Sequence, residues 1–158
     1  MTNKFISKSV SRYFAIQIFY TLEFSQDFKE TLNGFLEENK IDIHLTFKKK
    51  LKKSMFNKNY FLDILQTYDE QKVLVDDLIK SNLSQNWNLD RLPKVLLSIL
   101  RVAVSEMLSK NNVSIGIIIS EYVMFTESFF TKKECAFANA ILDKIFLKLN
   151  FNEEKHGH

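Results

Sequence analysis

The chain has 158 residues, a formal charge of +3 and 46% hydrophobic residues, which suits one compact domain with an ordinary core. Three glycines and one proline are too few for the turns of a β-rich protein, so the expectation is an all-α fold of long helices and short polar loops. A single cysteine excludes an internal disulfide, and no N-terminal apolar run is long enough for a signal or a membrane span; both fit a cytoplasmic protein with no membrane contact.

Taken in chain order, Ala15, Ile18, Phe19 and Leu22 share one face of a first helix, about 7–24. Ser25 can cap a second, about 26–38, with Phe28, Leu32, Phe35 and Leu36 inward. Asp42 can cap a third that carries Leu45, Leu51 and Met55. An aromatic-rich stretch, 56–68, follows, with a possible break near Asn57, and Asp69 then caps a helix with Val73, Val75, Leu78 and Ile79. In the helix at 92–110, Lys94, Ser98, Arg101 and Ser105 lie on one narrow strip and nearly everything else is apolar, so other helices must surround it. Ser114 can cap a helix at 115–130. Thr131 and Glu134 form a capping-box pattern for a last helix at 131–149, and the residues beyond 150 lack an apolar anchor and read as a disordered tail. The total is about seven helices.

No residues assemble a catalytic site, a cofactor loop or a metal site. His44 stands alone, His156 and His158 lie in the tail, and Cys135 has no second thiol to share a zinc. Cys135 is near a helix N-terminus beside Lys132 and Lys133, which could lower its pKa; the favoured, competing reading is a small core residue.

The basic groups are more informative. Lys4, Lys8 and Arg12 share a helix side, with Tyr13, Phe14 and Tyr20 near them, and aromatics beside a basic strip hold single-stranded RNA by stacking. For Phe14 core packing is the favoured reading. Lys132 and Lys133 in a first helical turn oppose the helix dipole and could instead converge with backbone N–H groups on a phosphate; the alternative is exposed loop lysines. Lys48, Lys49, Lys50, Lys52 and Lys53 form either a phosphate track or a solvated helix face.

Several segments occur in a specific order: Arg12-Tyr13-Phe14-Ala15-Ile16-Gln17-Ile18-Phe19-Tyr20; Tyr60-Phe61-Leu62-Asp63; Val75-Asp76-Asp77-Leu78-Ile79; and Asn86-Trp87-Asn88-Leu89-Asp90-Arg91-Leu92. Ile99-Leu100-Arg101-Val102-Ala103-Val104-Ser105-Glu106-Met107-Leu108, Ile119-Ser120-Glu121 and Phe137-Ala138-Asn139-Ala140-Ile141-Leu142-Asp143-Lys144 complete the set. The set resembles the NusB family. The resemblance implies a single domain, 1–150, of two small helical subdomains with a break near 67–70. It implies a non-catalytic transcription antitermination factor that binds boxA, a single-stranded RNA element of rRNA leaders, jointly with NusE, a small-subunit ribosomal protein. Other Nus factors and RNA polymerase join indirectly. A NusB-like domain also occurs fused to an RNA cytosine methyltransferase, but no cofactor-binding βα unit is present here, so methyl transfer is not expected.

By the same resemblance Lys8 and Arg12 remain of a basic N-terminal strip, while Ser9 and Val10 stand where basic residues are usual. Phe137 holds an RNA-facing aromatic position, preceded by Ala136 where a basic residue is usual, and Lys132 and Lys133 offer compensation one turn away. Tyr20 falls at the edge shared by NusE and RNA. Leu96 and Leu97 replace an acidic and a basic residue at the NusE surface, which implies either an altered partner surface or deeper burial. Glu106, Glu121, Asn139 and Asp143 are expected to brace helices. Some relatives pair as dimers that hide the RNA surface, and a homodimer using Leu96, Leu97 or Phe137 is left open. The alternative function is a NusE-binding scaffold with weakened RNA reading.

Overall fold

The computed structural model describes residues 2–24, 27, 30, 57–109 and 113–156, with side chains over 7–24, 27, 30, 57–109 and 113–150. Five α-helices and one 3-10 turn account for the regular structure of these residues, with no strand among them. They are α1 (Thr2–Leu22), α2 (Lys58–Ser81), α3 (Lys94–Leu108), α4 (Ile115–Glu127) and α5 (Lys132–His156), with the 3-10 turn at Leu89–Arg91. The all-α class stands. Of the second expected helix only Asp27 and Glu30 are described, where the Glu30 N–H donates to the Asp27 carboxylate at 3.0 Å. The third expected helix, His44 and the lysine patch at 48–53 lie outside the described residues.

Capping chemistry sets most helix starts. The Asn57 side chain accepts the Tyr60 N–H at 3.1 Å to begin α2. The Ser114 hydroxyl accepts the Ile117 N–H at 3.4 Å to begin α4. At α5 the Glu134 carboxylate accepts the Thr131 N–H at 3.0 Å and also the Thr131 hydroxyl. Those bonds hold the Glu134 carboxyl below its ordinary range. Pro93 stands immediately before α3, where its missing N–H costs nothing.

Two boundaries differ from expectation. The helix expected to start at Asp69 is instead continuous with the stretch before it, through a kink with Gln71 at φ −125° and ψ 30°. Just before it the Thr67 hydroxyl donates to the Asp63 carbonyl at 2.7 Å, a back-bond of the kind that bends helices. Asp69 therefore caps nothing; it pairs with Lys72 at 3.3 Å on the helix surface. In addition, α5 continues to His156 rather than stopping near 149, through the stretch expected to be a tail. That stretch contains the helix formers Glu153, Glu154 and Lys155, and the first glycine comes only at Gly157.

The helix α3 packs against α1, α2, α4 and α5. Leu96, Leu97, Ile99, Leu100, Val102, Ala103 and Val104 are all buried along it. The two serines of its narrow polar strip are internal too: the Ser98 and Ser105 hydroxyls donate to the Lys94 and Arg101 carbonyls at 2.8 and 2.7 Å. Around it sit Phe14, Phe61, Ile64, Tyr122, Phe125 and Leu142, each worth about 1.5–3 kcal/mol of burial. Phe19 and Tyr68 stack with ring centroids 4.4 Å apart, joining α1 to α2.

Candidate nucleic-acid interface

The basic and aromatic residues singled out from the sequence fall into two environments. Arg12 belongs to the core, not to a surface strip: it is 1% exposed. Its Nε and Nη2 donate to the two oxygens of Glu106, each at 2.8 Å, and its Nη1 donates to Glu121 at 2.6 Å. Nη2 also reaches the Tyr60 hydroxyl at 3.2 Å. Glu106 further accepts the Tyr122 hydroxyl at 2.6 Å and the Tyr60 hydroxyl. Glu121 accepts the Ser9 hydroxyl as well. The cluster ties α1, α2, α3 and α4 together with its polar groups satisfied, and no buried side-chain N or O among the described residues lacks a partner.

The electrostatics follow from this geometry. Burial alone would lower the Arg12 pKa, but the hydrogen bond and charge of Glu106, with Tyr122 and Tyr60, raise it above its ordinary value. Burial and the Glu106 carboxylate push both Tyr60 and Tyr122 upward. Glu106 and Glu121 brace helices, as expected. Asn139 and Asp143 do not share that role; they are exposed on α5, because they lie off the stripe of Ala138, Ile141, Leu142 and Ile145.

The thinned basic strip has a structural reason. Val10 is fully buried and Ser9 is bonded to Glu121, so both positions point at the core cluster. Lys8 is half-buried, with its ammonium 5.3 Å from the centre of the Tyr60 ring that Arg12 also faces. Lys4 lies in the first turn of α1, outside the described side chains. Phe14 is core, as favoured, and Tyr13 packs against Phe125 at 6.1 Å between ring centres.

Leu96 and Leu97 are 3% and 5% exposed, in line with the deeper burial that was one of the two alternatives. They sit in the first turns of α3, where α3 meets its neighbours. Leu96 alone reaches the floor of an adjoining groove.

The exposed edge is built elsewhere. Lys132 and Lys133 are exposed in the first turn of α5, with Phe137 half-buried one turn on. Phe137 and Lys133 line a groove of about 430 Å³ together with Trp87, Leu96, Ile141 and Lys144. At the far end of α1, Tyr20 is 38% exposed and meets Phe24 edge-on at 5.2 Å. The Lys94 ammonium lies 4.6 Å from the Phe24 ring centre. Arg101 holds this end in place: it grips Asp76 with two bonds of 2.9 and 3.1 Å and also donates to Glu23, beside Phe24.

Trp87, Phe24, Lys94 and Lys144 were missed as surface residues. The signal for Trp87 was available: it is a lone aromatic in the mostly polar run 84–91, flanked directly by Asn86 and Asn88. Cys135 is the small core residue of the competing reading, buried on α5. Burial pushes its thiol up, and Glu127 and Glu134 add to this, whereas a reactive thiolate needs the opposite.

Among the described residues no group of His, Cys, Asp and Glu could hold a metal, and no helix is long and apolar enough to cross a membrane. The NusB family model matches residues 9–146. A transcription antitermination protein NusB from Clostridium botulinum is 31% identical over 144 residues, 90% of this chain and all of that protein. Its namesake from Novosphingobium aromaticivorans is 33% identical over 86 residues, 54% of this chain; the chain spans only 58% of that relative. Among solved structures, T. maritima NusB is similar at a TM-score of 0.68 and 23% identity, covering 88% of this chain and 89% of that one. A chain from the antitermination factors NusB and NusE in complex with dsRNA is similar at 0.64 and 20% identity, covering 94% and 98%. The extent of these matches, together with the helical architecture they share, shows that this chain belongs to the NusB family.

Proposed function

We propose that the protein is a non-catalytic RNA-binding transcription antitermination factor that acts in the cytoplasm. It binds the boxA element of rRNA leaders jointly with NusE, promotes antitermination and rRNA synthesis, and meets other Nus factors and RNA polymerase through that complex. Family membership across residues 9–146 carries this reading. The exposed lysines and aromatics around the start of α5 support it, because they offer phosphate contacts beside stacking surfaces. The RNA surface then comprises Lys132, Lys133 and Phe137, with Lys8 and Tyr20 along α1 and Lys4 in its first turn. Tyr20 also lies at the NusE edge. The retreat of Arg12 into the core favours a second reading, a NusE-binding scaffold with weakened direct RNA contact.

A titration with a short boxA-like RNA, with and without cognate NusE at two salt concentrations, tests both readings. The expected result is salt-sensitive binding that NusE strengthens. NusE association with no gain in RNA affinity selects the scaffold. No preference for boxA in either condition rejects the main reading.

A further inference from the structure

Trp87 is the chain's single tryptophan, and it stands 52% exposed in the loop after α2. It shares a groove with Phe137, over an apolar floor that includes Leu96 and Ile141. A volume of about 430 Å³ lies within the range of small-ligand sites. Two exposed lysines, Lys133 and Lys144, stand on the rim. The acidic group there, Glu134, is turned back onto Thr131 at the helix start.

These features select among occupants. An aliphatic side chain of a protein partner would use the apolar floor and gain nothing from two ammonium groups. A nucleotide uses every part: a flat base stacks on an aromatic ring and its phosphates meet the lysines. We infer that this groove takes an unpaired nucleobase of the bound RNA, stacked on Trp87, with the adjoining phosphates at Lys133 and Lys144. The inference rests on the RNA-binding reading above and adds Trp87 and Lys144 to it.

The single tryptophan makes the test direct. A U/A-rich single-stranded RNA is titrated into the protein alone and then with NusE. Anisotropy of end-labelled RNA reports binding, and tryptophan fluorescence with unlabelled RNA reports the groove. The expected result is quenching that saturates at the concentration given by anisotropy. Trp87→Ala should weaken binding about 5- to 150-fold with unchanged helicity, and Trp87→Tyr should restore most of it. Lys144→Ala should lower the salt slope by about one. Binding by anisotropy with unchanged fluorescence and a wild-type Kd for Trp87→Ala overturns the inference and leaves the RNA-binding function standing. Quenching by NusE alone, with no effect of Trp87→Ala on RNA, assigns the groove to the protein partner and also overturns it. No RNA binding by either readout removes both the inference and the function beneath it.

Discussion

Arg12 and Lys133 are both cations beside aromatic rings near a helix N-terminal half, yet one is core and the other is surface. Arg12 has two carboxylates and two tyrosine hydroxyls gathered around it from three other helices. Lys133 has no such enclosure; it stands exposed on a groove rim with Trp87 and Phe137. A guanidinium can be buried when its planar fork is matched donor for donor, and the carboxylates supply that match. An ammonium left in water keeps its charge available to a phosphate. The same vocabulary of residues thus builds a brace in one place and a contact surface in the other.

The comparison can be broken most forcefully at Arg12. Arg12→Met leaves Glu106 and Glu121 buried without their cation, which should cost about 3–5 kcal/mol. For a domain of this size that lowers Tm by about 6–20 °C, readable in a thermal melt. A melt within about 1 °C of wild type would mean that the network braces nothing.

Phe137→Ala should show the opposite profile. RNA affinity falls by the roughly 1–3 kcal/mol of one stacked base, while the melting temperature changes little because the ring is only half-buried. Loss of stability without loss of affinity would return Phe137 to the core.

Alkaline titration sharpens the brace further. Tyr60 and Tyr122 have folded values raised above 10.0, so the folded state holds its protons more tightly than the unfolded chain. Their contribution is complete below about pH 10 and is lost as pH rises through the raised folded values. Denaturation midpoints should therefore fall above pH 10, with buried Tyr122 alone giving about 1.4 kcal/mol per pH unit. Tyr122→Phe should flatten that slope; an unchanged slope would exclude Tyr122 as its source.

The smallest effect belongs to the α5 lysines. Lys132→Ala and Lys133→Ala should each reduce the salt slope of RNA binding by about one and weaken every sequence alike. A sequence-selective loss would instead place a lysine against a base edge.

Most helix positions were legible because they depend on local chemistry. Ser114 and the Thr131 and Glu134 pair announce their helices within four residues. The kink at Gln71 was half-legible: the change at 67–70 was visible, but whether the chain breaks or bends depends on packing. The site was harder. Helical spacing puts Lys8 and Arg12 on one side of α1 without stating how deep that side lies. The depth is set by Glu106 and Glu121, 94 and 109 residues away in the chain. A clue existed in those glutamates, since each interrupts an apolar helix and must find a cation there. Leu96 and Leu97 leave two alternatives in the sequence for the same reason: depth is a tertiary quantity. Trp87 shows the reverse error, an aromatic absorbed into a motif when its polar neighbours marked it as exposed.

The most direct test of the division between brace and surface is a boxA-like RNA titration of Arg12→Lys beside Phe137→Ala, each under conditions where circular dichroism shows it folded. The expected result is an Arg12→Lys protein whose denaturation midpoint drops while its RNA Kd stays within about twofold of wild type, because a lysine cannot reproduce the forked grip yet the contact surface is intact. An Arg12→Lys protein of wild-type stability that binds RNA more than about tenfold worse would contradict the account and put Arg12 back among the residues that touch RNA.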